Sequence, residues 1–157
     1  MHAIQYLRLA AVFGALFMAL PVASEQITFS RGDIQLVPPG DDPISFEVEF
    51  AVTPVERRHG LMYRTALDEK AGMLFVFSNN ALRNFWMKDT PLSLDILFFT
   101  AEQKLVHVVP SAKPNNDAVI SSLVPARYVL ELKAGSSNRF GLVIGTALVI
   151  PKDSIQE

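Results

Sequence analysis

Every second residue from Ile44 to Val52 is apolar: Ile44, Phe46, Val48, Phe50 and Val52 alternate with Ser45, Glu47, Glu49 and Ala51. A period of two with one polar face makes a half-buried strand. A loop rich in turn formers, Pro38-Pro39-Gly40-Asp41-Asp42-Pro43, leads into it. A helix start follows at once. Thr53 can cap, Pro54 suits the first helical position and Glu56 completes a capping box. Gly60 is placed to end that helix. A chain that changes period within two residues is built from short elements.

The remaining patterning continues in that style. Ile27–Val37 reads as two short extended pieces around the turn Arg31-Gly32-Asp33. Gly72–Phe77, Asn84–Met87, Leu92–Phe99 and Lys104–Pro110 read as further strands, the last two joined in a hairpin across Thr100–Gln103. Ser111–Val124 carries Pro, Asn-Asn-Asp and Ser-Ser and reads as an exposed loop. Arg127–Lys133 is a strand, Gly135–Gly141 suggests one helical turn, and Ala147–Ile150 is a last strand. The spacing leaves little room for helical crossovers between parallel strands. The fold class is therefore mainly β (α+β), a compact antiparallel β-barrel or sandwich-like domain of about eight short strands with two short helices.

The first residues are read apart from the fold. A short start with Arg8 leads into the apolar run Leu9–Leu20 and the small-residue stretch Pro21-Val22-Ala23-Ser24. The run is well short of the roughly 20 residues that span a bilayer. It reads as a secretory signal cut after Ala23 or Ser24, with an uncleaved signal anchor as the alternative. The expected organisation is a cleaved leader over 1–24, an N-terminal extended segment over 25–43, one β-rich domain over 44–151 and a polar tail over 152–157. The protein is expected to be exported, periplasmic or extracellular, with no stable membrane span after cleavage.

Composition excludes several activities. Removing Arg8 from the 14 Lys+Arg leaves 13 against 16 Asp+Glu, a net charge of −3 for the mature chain. A weakly acidic exported protein makes a poor nucleic-acid binder. The chain has no Cys, which removes disulfides, thiol catalysis and thiolate metal sites. Only His59 and His107 follow the leader, so no metal site is expected. No phosphate-cradling Gly-rich loop, nucleophile elbow or His-Glu-x-x-His motif is present, and no cofactor is implied.

Three places retain chemical interest. Trp86 offers a broad ring for stacking on a sugar, and Lys88 beside it could bind an anion. Against this, Trp86 can be core and Lys88-Asp89-Thr90 a turn. Asp95 lies in the apolar run Leu92–Phe99, where a carboxylate must find a pocket, solvent or a buried partner such as Arg57, Arg58, Arg64 or Lys88. Structural pairing is the plainer role, and acid/base work the sharper one. The stretch Arg57–Arg64 holds three Arg in eight residues, an anion-binding patch or a solvated helix face. Tyr63 and Arg64, beyond Gly60, could project into a pocket. Glu131 shares a strand face with Arg127 and Val129, opposite Tyr128 and Leu130, and solvent exposure accounts for it unless the barrel interior is polar.

The order of blocks resembles one family. Thr53-Pro54-Val55-Glu56-Arg57 through Arg64, then Gly72–Phe77, then Phe85-Trp86-Met87-Lys88-Asp89-Thr90 with Leu94–Phe98, then Tyr128–Gly135, are similar to the domain of unknown function family 192. These are small, often secreted prokaryotic proteins. The resemblance runs from about Phe46 to Ile150 and implies a β-rich, barrel-like fold with short helices. It implies no activity and no catalytic residue. Asp89 stands where many members carry Asn, and Ser93 where many carry Pro.

The function expected from these residues is small-ligand binding or an accessory role in the periplasm. The site candidates are Arg57, Arg64, Trp86, Lys88 and Asp95, and the ligand class is a small polar or anionic molecule such as a saccharide or cell-wall fragment. The alternatives are a hydrolase or lyase using Asp95 as acid/base, and a purely structural or interaction protein. No protein partner is identified by the sequence.

Overall fold

The computed structural model describes residues 27–154. The leader expected over 1–24 lies outside the described residues. In chain order the elements are β1 (Ser30–Val37), β2 (Ile44–Ala51), α1 (Pro54–His59), β3 (Ala71–Ala81), β4 (Asn84–Phe85), β5 (Leu94–Phe99), β6 (Leu105–Ala112), β7 (Ile120–Ser121), β8 (Ala126–Lys133), α2 (Ser136–Arg139) and β9 (Ala147–Val149). Seven strands form one sheet in the order β6-β5-β8-β3-β2-β1-β9, and β4 pairs with β7 in a separate ribbon. The mainly β class with two short helices is what the patterning predicts.

The sheet curls into a half-barrel whose outer strands approach each other at one end. The Leu105 N–H donates to the Thr146 carbonyl at 2.9 Å, and the Gly145 N–H to the Leu105 carbonyl at 2.9 Å. Most neighbours are antiparallel, but β2 and β3 run parallel, with Glu47 opposite Ala71 and Ala51 opposite Phe75. The return path between them takes in α1 and the loop after it, a crossover that the tight spacing did not suggest.

The alternation of β2 is borne out, with Phe46, Val48 and Phe50 buried. They face the inside of the curl with Ile34, Leu36, Leu74, Leu97, Phe99, Tyr128, Leu130 and Leu132. The expected turn at Arg31-Gly32-Asp33 is instead the middle of β1, where Arg31, Gly32 and Asp33 pair with Glu49, Val48 and Glu47. Gly32 lets the chain stay extended there because its missing side chain leaves room for the Phe50 ring.

The outer face of the central strands is apolar too. Met73, Phe75, Ile96, Phe98 and Val129 form a second cluster with Ala51, Leu61, Met87 and Leu94. The cover over this face includes α1, Leu61 and the ribbon, whose Phe85 and Ile120 pack inward. The ribbon also revises the expected loop over Ser111–Val124, which contributes β7. Around the ribbon Leu82, Trp86, Val119 and Leu123 are exposed. Among the described residues no helix is long and apolar enough to cross a membrane.

Candidate binding cleft

A cleft of about 210 Å³ opens between the outer face of the sheet and its cover. One wall is α1 and the turn after it, the other is the start of the ribbon, and β3 and β8 supply the floor.

The α1 wall is set by its cap. Thr53 Oγ1 accepts from the Glu56 N–H at 3.2 Å, and Glu56 Oε2 accepts from the Val52 and Thr53 N–H groups, each at 2.8 Å. These bonds satisfy donors that a helix start leaves open. Burial, the largest single influence, pushes the Glu56 carboxyl up, but the backbone bonds from Thr53 and Val52, with the Thr53 side chain and Arg57, hold it below the usual range. The helix so anchored presents Arg57, Arg58 and His59 to the cleft. Gly60 ends it with φ 51° and ψ −137°, and a methyl there would stand 3.2 Å from the Phe75 ring.

Arg57 is held as well as charged. Its Nη1 donates to the Val76 carbonyl at 2.9 Å and to the Val52 carbonyl. Its guanidinium lies 4.9 Å from the centre of the Phe77 ring, and that of Arg83 lies 3.9 Å from the same centre. Arg58 is exposed at the rim. The three ion pairs among the described residues, Arg31–Glu49, Arg64–Glu49 and Arg139–Glu69, include neither Arg57 nor Arg58. The facing wall is aromatic. Phe85 packs edge-on against Phe75 at 5.0 Å between ring centres, and Trp86 is 49% exposed at the opening.

At the floor sits Glu131. It is 4% exposed, yet it lines the cleft. Its strand neighbours are Met73 on β3 and Ile96 on β5, both fully buried. Burial alone pushes its carboxyl up to about 8, and no nearby cation or donor offsets the shift. The carboxyl is therefore mostly protonated at neutral pH and makes no hydrogen bond among the described residues. This corrects the expectation of solvent exposure. The alternation of β8 was read rightly, but the face that Glu131 shares is covered by segments distant in sequence. A lone acid in Tyr128-Val129-Leu130-Glu131-Leu132 carries the same sequence signal as Asp95 in its own apolar run.

The structure brings two of the five site candidates, Arg57 and Trp86, to this cleft. Arg64 instead joins Arg31 on Glu49, with Nη2 2.7 Å from Oε2, beside a different depression on the sheet. Lys88 is exposed on the turn after Met87 and lines neither depression. Tyr63 is also exposed, with its hydroxyl 3.3 Å from Asp89 Oδ2.

Asp95 is fully buried, on the face of β5 that looks into the curl. Its Oδ1 accepts from the Ser111 N–H at 2.8 Å and the Gly135 N–H at 3.1 Å. Its Oδ2 accepts from the Ser137 N–H at 2.8 Å and the Ser137 hydroxyl at 2.6 Å. Burial acts most strongly to raise its pKa, but these four bonds together outweigh burial and leave it below the ordinary carboxylate value. The partner foreseen as an Arg or Lys is three backbone N–H groups and the Ser137 hydroxyl, so Asp95 is a clasp joining β6 to the β8–α2 turn and α2. Among the described residues no group of His, Asp and Glu could hold a metal ion.

The model of the family DUF192, Uncharacterized ACR, matches residues 36–150, and the chain belongs to that family. The fold is shared with a solved structure of a candidate transcription regulator from Sinorhizobium meliloti, 35% identical. That match covers 78% of this chain and 95% of the other, with a TM-score of 0.76. A protein of unknown function from Novosphingobium aromaticivorans is 26% identical over 83% of this chain and 90% of its own, with a TM-score of 0.75. No curated protein matches the chain.

Proposed function

We propose that this member of the family is an exported small-ligand-binding or accessory module, and that its ligand, a small polar or anionic molecule of saccharide or cell-wall type, enters the cleft floored by Glu131. The observation that carries the reading is the Glu131 carboxyl itself. Its oxygens open onto the cleft and make no hydrogen bond among the described residues, so a bound ligand there would supply partners to a largely desolvated group. The half-exposed Trp86 adds a stacking surface at the opening. Export rests on the apolar leader and its small-residue end. A nucleic-acid role, which the name of the Sinorhizobium relative raises, finds little support in a chain of net charge −2.

Thermal-shift measurements with sugars, cell-wall fragments, amino acids and nucleotides test the reading. A ligand at a hundred times its Kd adds about 2.7 kcal/mol of stability. The shift is expected to vanish in Trp86→Ala. A panel without any hit, or a hit indifferent to Trp86, would sink it.

One observation favours hydrolase or lyase chemistry as a second reading. A carboxyl raised to about 8 is protonated at neutral pH and suits a general acid. That role falls to Glu131 more naturally than to Asp95, whose oxygens are occupied. Turnover of a discovered ligand that survived Glu131→Gln would rule it out.

A further inference from the structure

We propose that the ligand is a sugar acid, its carboxylate held at the mouth of the cleft by Arg57 and Arg58 and a ring hydroxyl bonded to the carboxyl of Glu131 at the floor. This rests on the binding reading above and assigns its chemical class and its response to pH.

Charge is the first argument. The chain carries a net −2, yet the cleft is lined by two guanidiniums and an imidazole. Its single acid, Glu131, keeps its proton until about pH 8. A basic recess on an acidic protein selects anions. Neither guanidinium has a carboxylate partner among the described residues. Arg57 donates through Nη1 to two carbonyls, and among the described residues its Nε and Nη2 make no hydrogen bond. That free edge matches the two oxygens of a carboxylate.

Separation of the two ends is the second argument. Glu131 is buried on the β8 floor and Arg58 is exposed at the α1 rim, so the acid and this cation lie at different depths of the cleft. A ligand that reaches both must be charged at one end and neutral at the other. The floor is suited to a hydroxyl, because a protonated carboxyl both donates and accepts. Between the ends stand Phe85 and Trp86, flat surfaces against which the C–H face of a sugar ring packs. A ligand ammonium would meet Arg57 and Arg58 first and be repelled.

Proton linkage follows. Binding that uses the protonated form of Glu131 weakens once the free protein loses that proton, by about tenfold per pH unit above roughly pH 8. The other charged or titratable groups facing the cleft are Arg57, Arg58 and His59, all from α1 and the residues adjoining it. Phe75 and Phe77 of β3, the segment Asn84–Trp86 and Thr90 contribute none.

Calorimetric titration with three matched sugars tests the proposal: glucuronate, glucose and glucosamine, which differ in charge. Glucuronate is expected to bind most tightly and glucosamine most weakly. Arg58→Gln, on an exposed side chain, should weaken glucuronate about twofold to fivefold and leave glucose unchanged. Above pH 8 glucuronate should lose affinity in the wild type and hold it in Glu131→Gln. Glucose binding as tightly as glucuronate, or glucosamine more tightly, would overturn the sugar-acid assignment and leave the cleft a binding site. So would equal pH profiles in wild type and Glu131→Gln. Silence of all three sugars at millimolar concentration overturns it too, and the broader ligand panel with Trp86→Ala then decides the binding reading separately.

Discussion

Asp95 and Glu131 are two lone acids in apolar strands that lie side by side, Asp95 opposite Leu132 and Glu131 opposite Ile96. They point to opposite faces of the sheet. Asp95 receives four hydrogen bonds and stays ionised, while Glu131 receives none among the described residues and keeps its proton. Stability must therefore respond to pH in a particular direction. In the unfolded chain the Glu131 carboxyl titrates near 4.5, and in the fold near 8. Between those values the folded state binds one more proton, so raising pH favours unfolding across that window. The shift corresponds to a loss on the order of 5 kcal/mol, reached above pH 8. Glu131→Gln has no such proton to lose. Urea titrations are expected to show the variant gaining on the wild type steadily from pH 5 to pH 8, with the difference constant beyond. A pH-independent difference would show that the carboxyl is not desolvated.

At the scale of elements, α1 is the part of the site that the sequence specifies most directly. Thr53, Pro54, Glu56 and Gly60 lie where cap, first turn and terminus require them, and the capping box forms as read. Glu56→Ala removes two accepted backbone bonds at once. It should cost about 1–2 kcal/mol at neutral pH, and the cost should shrink in acid as the wild-type Glu56 carboxyl is protonated through its lowered pKa. Equal destabilisation at pH 3 and pH 7 would contradict the role given to the carboxylate. Because α1 carries Arg57 and Arg58, the same variant should also loosen the mouth of the cleft. Short-range signals of this kind were legible: the cap, the alternation of β2 and the hairpin of β5 and β6. The partners of Arg64 and Asp95 were not, because Glu49 and the Ser111, Gly135 and Ser137 donors lie 15 to 42 residues away.

For the whole molecule, the decisive property is that the central strands bury both faces. Period-two patterning assigns one face to the core and the other to solvent, so it places Glu131 and half the cleft outside. The continuous burial of β5 shows where that assumption breaks, since all six residues from Leu94 to Phe99 are buried. Sealing the outer face requires a cover, and the cover is the weaker layer. The β4–β7 ribbon has two residues per strand, whereas β3, β8 and β5 pair along much of their length in the middle of the sheet. Local opening should follow that difference. Hydrogen exchange is expected to be slowest in β3, β5 and β8 and markedly faster in α1 and the ribbon. A cleft ligand should slow exchange in α1 and around Asn84–Trp86 while barely changing the central strands. Gly72 lies under the same argument. A methyl there would sit 2.5 Å from the Glu131 carbonyl oxygen, so Gly72→Ala must push β3 away from β8. Its effect should appear as faster exchange in the central strands, the pattern opposite to a change in the cover. If the ribbon proved as protected as β8 without ligand, the two-layer account of the cleft would be wrong.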